Sequence, residues 1–252
     1  MPYPKYSIVI PAYNEERRLP PTLEAVLVFL RDHEWDAEVI VVNDGSSDRT
    51  AQLVREFAAR APQIRLIENP GNRGKGFAVR NGMLHALGDF VMFTDADLSS
   101  PIAEAQALAD AIAAGADVAI GSRWLDKSRQ TLRQPLYRRF FGRCFNAVTR
   151  AVMHLPFADT QCGFKAFTRE AAQTCFQLQT IEGWGFDPEI LFIALKRGYK
   201  VKEIPVNWAH DERTKMSYFR DGMHMLRELA QIRWNRLSGR YRRKVEMIER
   251  ES

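Results

Sequence analysis

The sequence is poor in cysteine. Three residues, Cys144, Cys162 and Cys175, are spread over 252 positions. They are odd in number and widely spaced, and no Cys-x-x-Cys or Cys/His set accompanies them. A disulfide framework and a structural zinc site are therefore both excluded, and the thiols read as reduced and mostly buried. No apolar run approaches the ~20 residues that a membrane-crossing helix requires. Met1-Pro-Tyr-Pro-Lys5 shows no signal-type apolar region. No internal repeat or low-complexity linker interrupts the chain. What is there, 46% hydrophobic and 27% charged residues, excludes disordered and collagen-like classes and is ample for a packed core.

The net charge of +5 hides an asymmetry. Residues 1–122 carry 11 basic and 17 acidic side chains, a net of −6, whereas residues 123–252 carry 25 and 14, a net of +11. A basic second half points to an anionic partner: nucleic acid, a membrane surface or a phosphorylated substrate.

The first half alternates short β-branched runs with helical patterns. Strands are predicted at Tyr6–Ile10, Glu38–Val42, Ile64–Ile67, Asp89–Thr94 and Val118–Ile120. Helices are predicted at about Glu16–Arg31, after the capping residues Ser46-Ser47-Asp48, through Val79 and Leu84, and from near Pro101. The strands lack internal polar alternation, so an α/β fold with a parallel sheet covered on both faces is expected. Ligands then bind at the carboxyl ends of the strands. Beyond Arg123 the pattern changes. Pro135–Leu155 reads as a basic helix, Pro188–Arg197 as a short helix and Lys200–Val206 as a strand. Phe219, Met223, Leu226, Ala230, Trp234 and Leu237 form one helical stripe in the tail, expected to pack on its own domain more readily than on a bilayer.

Four strand-end loops carry candidate chemistry. In Thr94-Asp95-Ala96-Asp97, two carboxylates just past a buried strand repel each other unless a cation lies near them. Mg²⁺ or Mn²⁺ bridging a diphosphate fits that need, against the plainer reading of a turn. Pro11-Ala12-Tyr13-Asn14-Glu15 places an aromatic face and a carboxylate after the first strand. Asp44, in Asn43-Asp44-Gly45, is a candidate acceptor for a base N–H or for ribose hydroxyls, although turn chemistry accounts for it equally well. Gly71-Asn-Arg-Gly-Lys-Gly76 matches neither the dinucleotide fingerprint nor the P-loop spacing. Its remaining role is to line an anionic ligand with backbone N–H groups and with Arg73 or Lys75 at a helix start.

Five segments, Ile8-Val-Ile-Pro-Ala-Tyr-Asn-Glu15, Val41-Val-Asn-Asp-Gly-Ser-Ser-Asp48, Asn72-Arg-Gly-Lys-Gly76, Asp95-Ala-Asp97 and Gly121-Ser-Arg123, together resemble the family 2 inverting glycosyltransferases. Asp159-Thr-Gln-Cys-Gly-Phe-Lys165, Trp184-Gly-Phe-Asp187 and Val206-Asn-Trp208 narrow the resemblance to the dolichyl-phosphate glucosyltransferase branch, related to the dolichyl-phosphate mannose synthases. The resemblance implies a GT-A (Rossmann-like) fold with a mostly parallel sheet flanked by helices. It divides the chain into a glycosyltransferase domain at 1–212 and a basic, helical C-terminal extension at 213–252, with a nucleotide-sugar half at 1–123 and an acceptor half at 124–212. It further implies a nucleotide-sugar donor, UDP-glucose favoured over GDP-mannose by the branch resembled and in second place by Ser99, two residues past Asp97, where mannose synthases commonly have a Gln, and a polyprenyl or dolichyl phosphate acceptor.

On this reading Asp97 and Asp95 hold the metal, and Pro11, Tyr13, Glu15, Asp44, Lys75 and Arg123 join them around the nucleotide-sugar. Arg213 and Lys215, then Arg133, Arg138 and Arg139, are the candidates for the acceptor phosphate, each against the alternative of a solvated surface charge. A phosphate monoester, with its second pKa of about 6, needs no general base. Asp187 is accordingly read as the cap of the following helix or a sugar ligand before a base, and Asp159 as a site or turn residue. Residues 213–250 hold 11 basic and four acidic side chains, a composition suited to a membrane-surface helix. The expected location is cytoplasmic, peripheral on the cytoplasmic face of a membrane. Mannosyl transfer from GDP-mannose, a sugar-hydroxyl acceptor, a nucleotidyltransferase and a nucleic-acid-binding module are the rival readings. The last leaves Asp95 and Asp97 without a purpose, so nucleic acid is not an expected partner.

Overall fold

The computed structural model describes residues 3–132, 136–209, 218–245 and 247. The first half follows the predicted alternation: β1 (Tyr6–Ala12), α1 (Leu19–Asp32), β2 (Ala37–Asn43), α2 (Thr50–Arg60), β3 (Ile64–Glu68), α3 (Lys75–His85), β4 (Phe90–Thr94), α4 (Ala105–Ala113) and β5 (Val118–Ser122). The second half adds β6 (Gln130–Leu132), α5 (Leu136–Met153), β7 (Phe164–Thr168), α6 (Arg169–Leu178), α7 (Phe186–Lys196), β8 (Val201–Pro205), β9 (Trp208–Ala209) and α8 (Tyr218–Leu237).

Seven strands form one sheet in the order β3-β2-β1-β4-β7-β5-β8, and β6 pairs with β9 apart from it. All neighbours in the large sheet are parallel except β7, which runs antiparallel between β4 and β5. The sheet is mostly parallel, as expected, and its one antiparallel strand, β7, is an element that the alternation did not announce. The strand period of two explains the two cores. Ile8, Ile10, Val39 and Val41 face one side, under α1, α2 and α4. Val9, Ile40 and Val42 face the other, with residues of α3, α6, α7 and α8. Helix α3 lies against the sheet at Gly82, where an added Cβ would run into Val9 and lie 2.8 Å from Val42 Cγ2.

β7 and α6 have no counterpart among the predicted elements. The reason is visible in Phe164-Lys165-Ala166-Phe167-Thr168: Lys165 stands in the middle of a central strand and is fully buried, a placement that patterning rules reject. Burial is tolerated because its ammonium donates to the Cys162 carbonyl at 2.6 Å and to Asp187.

The tail helix departs from its expected packing. Met225, Leu229 and Ile232 are buried, whereas the predicted stripe turns outward: Met223 and Leu226 are exposed, Trp234 is 70% exposed and Leu237 79%. Cys162 and Cys175 are buried thiols as expected, and Cys144 is exposed. Among the described residues no helix is long and apolar enough to cross a membrane.

Candidate functional site

The switch in strand order lies between β1 and β4: β1 is followed in sequence by β2 on one side of it, and β4 lies on the other. The loops leaving β1, β2 and β4 therefore open at one carboxyl edge. Because β7 is antiparallel and Phe164 is registered against Thr94, the Cys162-Gly163 segment entering β7 arrives at the same edge.

The first two loops are laced together. Asn14, in the left-handed region at φ 54°, receives Ser47 N–H on its Oδ1 at 2.8 Å and donates its own N–H to Ser46 Oγ at 2.9 Å. Glu15 is buried, donates its N–H to Thr50 Oγ1 at 2.8 Å and pairs with Arg18. Tyr13 keeps 39% of its surface exposed at the end of the strand. Asp44 is buried, and both of its oxygens are engaged by the protein. Oδ1 accepts Asn69 Nδ2 at 2.8 Å, Oδ2 accepts Gly74 N–H at 2.8 Å, and Arg73 N–H reaches both oxygens at 3.1–3.2 Å. Asp44 thus organises the glycine-rich loop. This corrects the expectation for that loop's amides: those of Arg73 and Gly74 point to a carboxylate rather than to an anionic ligand.

Asp95 and Asp97 lie on the turn after β4, closed by Leu98 N–H to Asp95 O at 3.1 Å. Lys75, the first residue of α3, places its ammonium 2.5 Å from Asp95 Oδ1 and 5.2 Å from the centre of the Trp184 ring. Burial alone would lower the Lys75 pKa, but Asp95, Asp187 and Asp97 together hold it above the ordinary lysine value. Asp97 accepts Ser99 N–H at 3.0 Å and has the Arg18 guanidinium at 3.5 Å. Arg18 therefore links Glu15 to Asp97, a role that no motif pointed to. Gly163 backs the pair, since a Cβ there would collide with the Asp95 carboxylate.

Asp187 is not the cap of its helix. Gly185 holds the N-cap position, and Asp187 lies within the first turn, buried, with its Oδ1 receiving Lys165 Nζ. Arg123 is held by Asp159 rather than by solvent. Nε and Nη2 donate to its two oxygens at 2.6 and 2.8 Å, and the Arg123 N–H adds a third bond at 3.0 Å. Burial would raise the Asp159 pKa, but the guanidinium beside it holds the carboxyl below the usual aspartate value. Arg123 and Asp159 thus form a bidentate pair in which the carboxylate is fully buried and the guanidinium partly so. The Cys162 thiol nearby is pushed up to about 11 by burial and by the Asp159 charge, which keeps it protonated and unreactive.

The edge therefore brings together Pro11, Tyr13, Glu15, Asp44, Lys75, Asp95, Asp97 and, through Lys75, Asp187. Arg18, Lys165 and Trp184 join them without having been singled out. Lys165 and Trp184 sat inside recognised motifs, and burial of the lysine was the missing signal. Arg213, Lys215 and Arg133 lie outside the described residues. Arg138 and Arg139 fall on the backbone of α5, and their side chains lie outside the described set.

Among the described residues no group of three or more His, Cys, Asp or Glu side chains forms a ready-made metal cage. The donor chemistry still fits a hard divalent cation bound jointly with a ligand. Asp95 and Asp97 supply carboxylate oxygens, and Mg²⁺-type ions commonly take one or two carboxylates with phosphates and water filling the rest. Asp95 already pairs with a cation here, the Lys75 ammonium, and the charges of Asp187 and Asp97 add to its field.

Residues 7–176 match the glycosyl transferase family 2 profile. A dolichyl-phosphate beta-glucosyltransferase of Trichomonas vaginalis is 39% identical, over 89% of this chain and 74% of its own. The proteins of the same description from Saccharomyces cerevisiae and Homo sapiens are 35% and 33% identical, covering 94% and 96% of this chain and 76% and 78% of theirs. Among solved structures, glucosyl-3-phosphoglycerate synthase from Mycobacterium tuberculosis in complex with Mn²⁺, UDP and glucosyl-3-phosphoglycerate aligns with a TM-score of 0.68 at 21% identity, over 93% of this chain and 80% of that one. At that identity the likeness is one of fold.

Proposed function

The chain belongs to glycosyl transferase family 2 and is a glycosyltransferase, and from that premise we propose that it transfers glucose from UDP-glucose to a polyprenyl or dolichyl phosphate with inversion at the anomeric carbon. The observation that carries the proposal is the Lys75 ammonium paired with Asp95, on the turn that also holds Asp97, at the carboxyl edge of the sheet: a cation beside two carboxylates suits a nucleoside diphosphate bound together with a divalent ion. The acceptor class is supported by relatives at 33–39% identity over most of the chain. The donor is supported by the fold neighbour seen with UDP.

In this mechanism Tyr13 and the loop organised by Asp44 receive the nucleoside, and Lys75 neutralises developing charge on the diphosphate. A divalent ion held by Asp95 and Asp97 would add Lewis-acid stabilisation of the leaving group. The acceptor phosphate is ionised near neutrality, its second pKa being about 6, and attacks without a general base. Asp187 suits this division of labour: with Lys165 on one oxygen it is a fixed buried charge that helps to hold Lys75. Arg213, Lys215, Arg133, Arg138 and Arg139 remain the candidates for the acceptor phosphate. The exposed Met223, Leu226, Trp234 and Leu237, with Arg227, Arg236 and Arg240 exposed on the same segment, suit a peripheral seat on the membrane that carries the lipid.

The test is incubation of the protein with labelled UDP-glucose, GDP-mannose or UDP-N-acetylglucosamine, a polyprenyl phosphate, and Mg²⁺ or Mn²⁺. A lipid-linked glucose released by mild acid is the expected product. Transfer from GDP-mannose alone would replace the donor, and no lipid product from any donor would remove the acceptor.

A further inference from the structure

The segment Thr180–Gly185 lies directly over the candidate donor site, yet has no regular secondary structure to hold its shape. It is laid on the glycine-rich loop by Phe77 N–H donating to Glu182 O at 3.1 Å and by an Arg73–Glu182 ion pair at 2.9 Å. It brings Trp184 over Lys75. Its other side is held by carboxylates and by the C-terminal segment. Glu189, fully buried, accepts Thr180 N–H at 3.0 Å and Ile181 N–H at 2.8 Å, and takes Tyr241 O–H at 2.7 Å. Asn235 Nδ2 donates to Thr180 Oγ1 at 2.9 Å. The end of the segment next to Trp184 is held from α8, where Glu228 Oε2 accepts the Gly185 N–H at 2.8 Å.

The two glycines flanking Trp184 leave room for that carboxylate. A Cβ on Gly183 would collide with Glu228 Oε1, and one on Gly185 would lie 2.7 Å from Glu228 Oε2. Neither glycine has a positive φ, so space rather than backbone conformation accounts for the missing side chains.

We propose that Glu228 is a positioning residue. From the tail helix it holds the Gly183-Trp184-Gly185 turn, and through it Trp184, against Lys75, so that the seating of α8 sets the geometry of the donor site. The inference rests on the proposed function for what the site binds but not for the contact itself. A charge-assisted acceptor at this turn fixes the backbone amide of Gly185, while Glu189, Asn235 and Tyr241 fix the other end of the same segment. The helix that exposes Trp234 and Leu237 to its surroundings thus has a direct polar contact with the wall of the site.

The experiment uses the 252-residue chain with Glu228→Ala, Glu228→Gln, Gly183→Ala and the double variant Glu228→Ala/Gly183→Ala. Amide exchange is read over residues 182–187, and KM and kcat are measured with UDP-glucose. Glu228→Ala is expected to speed exchange in that segment and to raise KM on the order of tenfold, the effect of losing one charge-assisted hydrogen bond, with a much smaller change in kcat. Glu228→Gln keeps a carbonyl acceptor without the charge and is expected to restore both readouts in part, to a level between the Ala variant and the wild type. Gly183→Ala, which displaces the carboxylate, is expected to reproduce the defect and to add little to Glu228→Ala; it also serves if the alanine variant fails to fold. Unchanged exchange in Glu228→Ala or Gly183→Ala, a Gln variant as defective as the Ala variant, or additive effects in the double variant would overturn the proposal. If the wild type turns over no sugar nucleotide, the proposed function fails while amide exchange still decides the role of Glu228.

Discussion

Lys75 and Asp95 meet at 2.5 Å although they come from different strand-end loops, one opening α3 and the other closing β4. The pair does not stand alone. Asp97 and Asp187 add to the field on the same ammonium, and Arg18 leans on Asp97 from the opposite side. Cations and carboxylates therefore alternate around the place where a diphosphate and its metal would sit, so single removals should affect charge balance more than folding.

Asp97→Ala is expected to lower glycosyl transfer by on the order of 10²-fold or more, since charge stabilisation of a leaving group is worth several kcal/mol. The melting temperature should stay close to that of the wild type, because this partly exposed carboxylate supports one turn and makes only a long contact to Arg18, whose nearer partner is Glu15. Asp95→Asn should act similarly and should also let the Lys75 pKa fall, which NMR titration of the labelled lysine would detect. Retained transfer in Asp97→Ala would remove the metal role from this residue.

Chelation should abolish transfer, and Mg²⁺ or Mn²⁺ added back should restore it. The fold should be indifferent to the treatment, because no cage of three or more ligating side chains appears among the described residues. Activity and circular dichroism measured before and after EDTA treatment separate the two effects.

The Arg123–Asp159 pair gives a pH dependence with a definite sign. The folded-state pKa of Asp159 lies below its ordinary value of about 3.9. The pair therefore contributes stability in full above that value and loses it as pH falls through the lower, folded-state pKa. Thermal melts between pH 6 and about 2 should show this acid loss in the wild type and a flatter profile in Asp159→Asn. At neutral pH the Asn variant should be destabilised by about 1–3 kcal/mol, the usual cost of removing one hydrogen-bonded partner when the group left behind keeps some contact with solvent.

The outward stripe of α8 should carry membrane affinity. Trp234→Ala/Leu237→Ala, changing two largely exposed side chains, should weaken partitioning onto anionic vesicles while leaving the unfolding free energy within about 0.5 kcal/mol of the wild type, the usual range for surface changes. Added salt should weaken binding further by screening the arginines. Co-sedimentation across a salt series is the measurement, and unaltered partitioning of the double variant would exclude the stripe as the contact.

Much of the first half was legible because local and global signals agree there. Short β-branched runs ending at Pro11, Asn43 and Thr94 alternate with helical patterns, and that alternation by itself implies a sheet with its ligand edge at the strand ends. The pairing of Lys75 with Asp95 was not legible, because no local pattern tells which loops meet across β1 and β4. Nor was β7, whose buried Lys165 contradicts strand patterning until Asp187, 22 residues further on, is known to be its partner.

The tail shows the same division. Composition and period determined that residues from Tyr218 onward form a basic, amphipathic helix. Only the tertiary structure decided which face is covered, because Met225, Leu229 and Ile232 offer a second apolar row and packing selects one of the two. The sequence thus determined the sheet, its candidate ligand edge and the acid pair, all products of short-range patterning. The antiparallel strand, the cation among the carboxylates and the inward face of the tail depend on contacts between distant segments, and only the folded chain brings those together.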